Sequence, residues 1–362
     1  MGTDVKFQCV DVSRVAYLLF INSLFHMVEF DAFARSNARS VRAEYQNPTG
    51  FLVSEYLFRD GMGGDELAKT IHLLGGKIFV IRKKLDSVSV PGIPLQFLKI
   101  EHDSIWLRDF APLSIQVESE RPIFLDFRYE GSLEDDRFPL ELGRSLEVPV
   151  KSGNLFLDGG NIQVANGRCF LSEVEQYRNG AGEPIAKREY LRLLGKSLGC
   201  QPILLAGLPH PHIDMWLKTT GDSYAFVASV EPGTLELSRK LQPPSESEKL
   251  SKLKYALDRA SEQVSKFGLK VFRIPQPLIE GNLLRSYTNS LVIGKTWVVP
   301  RYRRKHITNA VETDYADFNL LLSYEKTITN VLKTAGYKVT FLNADRLIAR
   351  GGGWHCVVSE VF

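Results

Sequence analysis

The sequence contains few cysteines, and they are scattered. Only four occur among 362 residues, and no two of them form a CxxC pair (Cys9, Cys169, Cys200 and Cys356). Isolated cysteines argue against a disulfide framework and against a cysteine-type zinc site, both of which need regular or closely spaced cysteines. The sequence therefore predicts a mostly reduced chain with one functional thiol.

Net charge is also scarce. The 45 Lys and Arg residues nearly balance the 42 Asp and Glu residues, which leaves a formal charge of +3. Binding of nucleic acid usually needs a concentrated basic stripe. The one basic run, residues 301–306, is more typical of a solvated turn. We therefore expect no nucleic-acid partner.

A hydrophobic run long enough to span a membrane is missing as well. The apolar run near the N-terminus covers 14 residues, from Val15 to Val28, which is too short to cross a bilayer comfortably. No positive bias precedes it, so we predict a helix packed on the main body and a cytoplasmic protein. A secretory signal segment, cleaved near the A-x-A-like residues 32–34, is the alternative. On either interpretation, residues 1–48 form an N-terminal extension and residues 49–362 the main domain.

The rest of the sequence alternates between strands and helices. Hydrophobic residues make up 44% and charged residues 24%, as in soluble globular proteins. The hydrophobic pattern predicts buried strands at 77–81, 122–127, 202–205, 270–274 and 338–342, a hairpin at 290–302, and helices at 246–267 and 317–335. About five strand–helix–strand units follow one another without a low-complexity linker. This organisation predicts one compact mixed α/β domain.

Polar residues and glycines cluster beside strands in four segments, at 103–112, 157–161, 211–216 and 350–356. Cys356 follows three glycines and a histidine, so it is either a nucleophile or a small packing residue at a strand start. His212 and Asp214 lie two apart, which on a strand places both side chains on one face. Such a pair suits proton transfer with cation binding, or it is a hydrogen-bonded core pair. Asp109, if buried, needs a partner such as Arg108.

Together and in this order, five motifs resemble those of the agmatine deiminase and bacterial-type peptidylarginine deiminase family, a group of guanidino-modifying enzymes. They are DSIWLRDFAP (103–112), DGGN (158–161), HIDMW (212–216), SYTNSLVI (286–293) and GGGWHC (351–356). DGGN begins at Asp158, HIDMW at His212 and SYTNSLVI at Ser286. The resemblance implies a five-bladed α/β propeller, or pentein, with pseudo-fivefold symmetry and a site on its axis. HIDMW and SYTNS are more similar to the peptidylarginine branch.

The resemblance also implies roles for individual residues. Cys356 would attack the guanidinium carbon, and His212 would transfer protons. Asp109 and Asp214 would bind the guanidinium from two sides. The other implied substrate-binding residues are Asn289, Trp106, Arg128, Asp158 and Gly352. Asp158 departs from the glutamate often found at that place in the family, and neither a metal nor an organic cofactor is implied.

The implied reaction is hydrolytic deimination of agmatine, arginine or peptidylarginine to a ureido product and ammonia. Two alternatives stay open, an amidinotransferase that uses the same residues and an inactive guanidinium-binding domain. The expected partner is therefore a small-molecule or peptide guanidino substrate, with no stable membrane span. The oligomeric state is open, and a homodimer is one option.

Arg128 directly follows the predicted strand 122–127, in a region that faces substrate in this family. It could grip a substrate carboxylate with two parallel hydrogen bonds. The alternative is a solvent-facing arginine that is paired with Glu130 or Asp135. The first interpretation predicts a preference for a carboxylate-bearing arginine over agmatine.

Overall fold

The computed structural model describes residues 39–43, 46, 48–83, 88–117, 122–179, 185–208, 212–221, 223–279, 283–308, 311–314 and 318–362. Residues from Arg39 to Phe362 form one compact unit. Its first strand, Arg39–Val41, pairs with Leu113–Val117. The compact unit therefore includes residues that precede position 49, where the main domain was predicted to begin. The apolar run at 15–28 lies outside the described residues, and the division at residue 48 stays a prediction.

Strands and helices alternate along this unit, which confirms the predicted α/β class. Among the described residues, the strands form five sheets and one two-stranded hairpin. The first sheet contains Val358–Val361, Gly50–Ser54, Lys77–Arg82 and Leu95–Lys99, and the second contains Arg39–Val41, Leu113–Val117, Ile123–Arg128 and Val150–Phe156. The third contains Gln163–Ala165, Arg168–Ser172 and Gln201–Leu205, the fourth Leu217–Thr220, Tyr224–Ser229 and Lys270–Pro275, and the fifth Leu291–Ile293, Thr296–Arg301 and Lys338–Asn343. The hairpin pairs Arg304–Thr308 with Val311–Asp314.

One connection recurs in all five sheets. An antiparallel pair of strands is combined with a third strand, which follows after a helix and lies parallel to one member of the pair. In the first sheet the antiparallel partner of Gly50–Ser54 is the last strand of the chain, Val358–Val361. Within the described ranges each sheet is open, and none closes on itself.

The helices pack on these sheets through apolar faces. The predicted helix at 246–267 is observed as Pro244–Ser265, and its spaced residues Leu250, Leu257 and Val264 are buried. The predicted helix at 317–335 is observed as Phe318–Thr334. The remaining helices of the described chain are Gly64–Leu73, Leu107–Phe110, Leu133–Leu146, Val174–Arg178, Lys187–Leu198, Pro232–Leu241 and Asp345–Ile348, with 3-10 helices at Glu55–Phe58, Gly159–Asn161 and Ile213–Met215. Across the described ranges, no helix combines the length and the apolar character that a membrane crossing requires.

The prediction of a mostly reduced chain is wrong for two cysteines. Cys169 and Cys200 form a disulfide, although 31 residues separate them in the sequence. The strands Arg168–Ser172 and Gln201–Leu205 are parallel neighbours, and this pairing brings the two thiols together at their starts. Spacing along the chain cannot reveal such a contact, because it depends on the order of strands in the sheet. Cys356 is the free cysteine of the described residues.

Candidate active site

Side chains from several separate loops meet around Cys356. They come from the helix Leu107–Phe110, the 3-10 helices Gly159–Asn161 and Ile213–Met215 with the residues before them, and the loops 285–290 and 350–357. The Arg108 backbone N–H donates to the Cys356 carbonyl at 3.1 Å, which joins the first of these segments to the last. All five motifs of the sequence therefore contribute to one site.

The Cys356 thiol is buried among groups that fix its position. The Asn289 amide Nδ2 donates to its Sγ at 3.1 Å, and Asp214 Oδ2 lies 3.8 Å from the same sulfur. Burial, followed by the negative charges of Asp214 and Asp109, raises the pKa of the thiol well above its usual value. In the absence of a ligand the sulfur is therefore protonated at neutral pH.

Close packing beside the thiol explains why glycines precede it. A Cβ on Gly352 would lie 2.5 Å from a ring atom of Trp106 and 3.1 Å from the Cβ of Cys356. A Cβ on Gly353 would lie 2.6 Å from Asn289 Oδ1. The structure thus places Gly352, Trp106 and Asn289 next to the thiol. Trp106 itself is half-buried.

Three aspartates in the site have acceptor atoms with no donor. Among the described residues, Oδ1 of Asp109, Asp158 and Asp214 is buried and accepts no hydrogen bond, although His212 Nδ1 lies 3.4 Å from that of Asp109. A buried acceptor without a donor is costly and uncommon in folded proteins. Burial, together with the charges of Asp158 and Asp214 and against the attraction of His212, raises the pKa of Asp109 to about 7. The site therefore favours a ligand that is positively charged and carries several N–H donors.

His212 lies between two of these carboxylates. Its Nδ1 is 3.4 Å from Asp109 Oδ1, and its Nε2 is 3.1 Å from Asp158 Oδ2. Burial alone lowers the pKa of His212, but Asp109, the hydrogen bond with Asp158 and the charge of Asp214 outweigh it and raise that pKa to about 10. The imidazole is therefore protonated at neutral pH and able to donate a proton.

One expectation about neighbouring residues needs correction. His212 and Asp214 do not share one face of a strand, because Asp214 lies in the 3-10 helix Ile213–Met215 and His212 precedes it. Arg108 forms a buried ion pair with Glu360 at 2.6 Å, and its positive charge also acts to lower the pKa of Asp109. Arg108 and Asp109 are successive residues of a helix, so their side chains point in different directions.

His355 is a member of the site that the sequence did not single out. Its Nδ1 contacts Asp214 Oδ2 at 2.6 Å, and its backbone N–H donates to Asn289 Oδ1 at 3.1 Å. Burial raises the pKa of Asp214, but the hydrogen bond and the charge of His355 reverse this and lower it. The only signal in the sequence was its place beside Cys356 in GGGWHC.

Glu175 and Arg178 were also missed, because they lie in the segment SEVEQYR, which matches none of the five motifs. Arg178 Nη1 donates to Asp158 Oδ2 at 2.8 Å and to both carboxylate oxygens of Glu175. Arg128 lies further out. It is exposed, and its guanidinium carbon stacks 4.3 Å from the centre of the Phe156 ring.

A methyl group at Gly160 should disturb the histidine and its carboxylate together. The added Cβ would lie 2.7 Å from Asp109 Oδ1 and 3.0 Å from His212 Nδ1, so one of the two must move. We expect Gly160→Ala to lower kcat/KM of the proposed reaction about tenfold, because small displacements of reacting groups are costly. Steady-state kinetics measure the effect. The matched control is Gly233→Ala, where a Cβ meets nothing within 4 Å. Equal activity of the two variants would contradict the placement of His212.

The fold and the site together define a class of protein, an α/β protein in which a buried thiol, a protonated histidine and three carboxylates share one site. Solved structures with this fold include agmatine deiminases. The C. jejuni agmatine deiminase is 18% identical, with a TM-score of 0.68 over 90% of this chain and 96% of that chain. The agmatine deiminase of Enterococcus faecalis is 15% identical, with a TM-score of 0.65 over 90% and 96%. Identities this low show the fold alone.

The sequence itself gives the family. The chain belongs to the Porphyromonas-type peptidyl-arginine deiminase family, whose model matches residues 66–361. This match confirms the resemblance that the five motifs indicated. None of the curated proteins matches the chain.

Proposed function

We propose that this protein hydrolyses a guanidino group to a ureido group and ammonia, with Cys356 as the nucleophile. The observation that carries the proposal is the set of three buried aspartate oxygens without a donor beside a buried thiol. A guanidinium is a planar, permanently charged group with several N–H donors, so it matches such acceptors. Membership of the deiminase family and the fold of two agmatine deiminases support the same reaction.

Asp109 and Asp214 bind the guanidinium in this proposal. Their negative charges repel each other, and this repulsion contributes to the raised pKa of Asp109. A cation between them removes the repulsion and ionises Asp109 fully. A neutral ureido group cannot do so, which gives the site a reason to bind substrate more tightly than product.

Binding of the cation also activates the thiol. The negative charges of Asp109 and Asp214 are among the causes that raise the pKa of Cys356. A guanidinium neutralises these charges, so the thiol pKa falls, the thiol proton passes to solvent water, and the thiolate forms next to the carbon it attacks. The Asn289 Nδ2–H remains as a donor to the sulfur.

His212 moves the protons. Its Nδ1 faces Asp109, and so faces the bound guanidinium, while Asp158 holds its Nε2. The protonated imidazole gives its Nδ1 proton to the departing nitrogen, which leaves as ammonia, and an amidino-thioether on Cys356 remains. Neutral His212 then takes a proton from the water that attacks this intermediate. Collapse of the adduct breaks the C–S bond, passes the remaining hydroxyl proton to solvent, and releases the ureido product and the thiolate.

The five sheets are, in this proposal, five blades around a common axis. The recurrence of one strand connection in each sheet supports this arrangement. So does the pairing of the last strand, Val358–Val361, with an early one, Gly50–Ser54, because a ring of blades must join its two ends. The convergence of loops from different sheets on Cys356 would follow from such symmetry.

The substrate that we propose carries a carboxylate close to its arginine side chain. Arg128 is exposed, and its guanidinium carbon lies 4.3 Å from the centre of the Phe156 ring. The two acidic residues that could have formed an ion pair with Arg128 have other partners. Glu130 pairs with Arg178 at 3.3 Å, and Asp135 accepts the backbone N–H of Asp103 at 2.8 Å. Arg128 is thus suited to bind a carboxylate, whereas agmatine would present it with an amine.

The test of the function is a product assay with agmatine, free arginine and a peptide that ends in arginine. We expect the ureido product and ammonia in equal amounts, with the highest kcat/KM for the two carboxylate-bearing substrates. Arg128→Ala should lower kcat/KM for these two about tenfold and leave agmatine unchanged, since it removes one charge-assisted contact. Arg144→Ala, which removes an exposed arginine paired with Glu141, is the control.

Different outcomes contradict different parts of the proposal. If agmatine is the best substrate, or if Arg128→Ala affects all three substrates equally, the carboxylate preference is wrong. If arginine with added glycine or lysine gives ornithine without ammonia, the chain is an amidinotransferase. Binding of a guanidino compound without any turnover would identify an inactive binding domain.

A further inference from the structure

A short helix is fixed beside the site by one asparagine. Asn179, directly after the helix Val174–Arg178, accepts the backbone N–H of Phe156 at 2.8 Å and donates to the Phe156 carbonyl at 3.0 Å. Its side chain also donates to the Glu175 carbonyl at 2.7 Å. The helix is therefore attached to the chain two residues before Asp158.

This helix directs two charged side chains at Asp158. Glu175 is fully buried. Arg178 is 19% exposed, and its Nη1 donates to Asp158 Oδ2 at 2.8 Å and to Glu175 Oε2 at 2.8 Å. The Arg178 guanidinium is therefore held by Glu175 while it holds the carboxylate of Asp158.

The carboxylate oxygen that Arg178 holds is the one that holds the histidine. Asp158 Oδ2 contacts His212 Nε2 at 3.1 Å and Arg178 Nη1 at 2.8 Å, while Asp158 Oδ1 accepts no hydrogen bond from the described residues. Without the Arg178 guanidinium, rotation of the Asp158 side chain could exchange its two oxygens or move both away from the imidazole. The hydrogen bond to His212 would then lose its fixed geometry.

We propose that Arg178 and Glu175 are positioning residues, which act through Asp158 to hold the His212 imidazole for proton transfer. This proposal rests on the deimination proposed above. Arg178 keeps Asp158 Oδ2 turned to His212, and Glu175 holds Arg178 in place. Neither residue contacts the guanidinium site formed by Asp109 and Asp214 in this proposal, so their loss should slow chemistry and leave substrate binding intact.

A double-mutant cycle tests whether Arg178 acts through Asp158. We expect Arg178→Gln to lower kcat about tenfold with less than a twofold change in KM. Glu175→Gln should lower kcat by a smaller factor, again with less than a twofold change in KM. In an Asp158→Asn background, Arg178→Gln should lower kcat by less than about a further twofold, because the effects of residues that act as one unit are not additive. Arg192→Gln removes the arginine of another i,i+3 pair, Glu189–Arg192, and is the matched control.

A second measurement does not depend on activity. The Nε2 proton of protonated His212, hydrogen-bonded to Asp158, should give a slowly exchanging low-field signal in protein labelled with ¹⁵N-histidine. His212→Asn assigns this signal among the seven histidines. We expect the signal in the wild type and in Arg192→Gln, and its loss by exchange broadening in Arg178→Gln.

The two measurements separate failure of this inference from failure of the deiminase function. A wild type without turnover contradicts the function, while the signal still reports the contact. Additive losses in the cycle, a change confined to KM, or an unchanged signal in Arg178→Gln would each overturn the positioning role. If Arg178→Gln does not fold, Arg178→Lys carries the cycle, with an expected loss of about threefold because an ammonium keeps one donor to Asp158.

Discussion

Replacement of Cys356 by serine is expected to abolish formation of the ureido product, a loss on the order of a thousandfold or more. A hydroxyl is a far weaker nucleophile than a thiolate at neutral pH. The volume of the side chain changes little, and Asn289 Nδ2 can donate to an oxygen as it does to the sulfur. The fold should therefore persist.

The measurement combines kinetics, thermal unfolding and labelling of the thiol. In a Cys9→Ser background, a haloacetamidine, which carries a cation like the substrate, should label one thiol when Cys356 is present and none in Cys356→Ser. The disulfide removes Cys169 and Cys200 from this reaction, and the Cys9→Ser change removes the fourth cysteine. Activity within tenfold of the wild type, at an unchanged melting temperature, would show that another group is the nucleophile.

The sequence predicted those parts of the fold that depend on local pattern. The strands at 77–81 and 270–274, the helix at 246–267 and the hairpin around Gly294 are all present, because each requires only periodicity and a turn residue. The order of strands within the sheets was not accessible. For that reason the sequence did not predict the disulfide between Cys169 and Cys200. These cysteines are 31 residues apart in the sequence and meet only because their strands are neighbours in the sheet.

The site divides in the same way. Cys356, His212, Asp109 and Asp214 belong to motifs, and the structure brings them together. Contacts between motifs were beyond reach: nothing in the sequence relates His355 to Asp214, or Arg178 to Asp158. Asp158 had been expected to bind substrate, while the structure gives it a contact with His212.

Asparagine at position 109 is expected to have two effects of opposite direction on the site. It removes half of the proposed guanidinium clamp, which should raise KM, lower kcat and reduce kcat/KM up to about a hundredfold, since a charge-assisted contact contributes about 1.5–3 kcal/mol. It also removes a negative charge that raises the pKa of Cys356. The thiol of the free enzyme should therefore become more reactive while catalysis becomes slower.

The direction of the pH dependence follows from the Asp109 carboxyl. Because its pKa is raised to about 7, its charge acts on the thiol only as the pH rises through that value. Alkylation of Cys356 by neutral iodoacetamide should thus be similar in wild type and Asp109→Asn below pH 7, and faster in the variant above it. Asp214→Asn should change alkylation in the same direction, with a lower melting temperature because His355 loses its carboxylate.

The control for Asp109→Asn is a buried aspartate outside the site. Asp126 accepts a hydrogen bond from Ser152 at 2.7 Å, and Asp126→Asn should leave both kcat/KM and the alkylation rate unchanged. If Asp109 has only a structural role, Asp109→Asn should lower activity and the melting temperature together and should not accelerate alkylation. Slower catalysis with slower or unchanged alkylation above pH 7 would therefore place the Asp109 charge away from the thiol, and the guanidinium clamp would lose one of its two members.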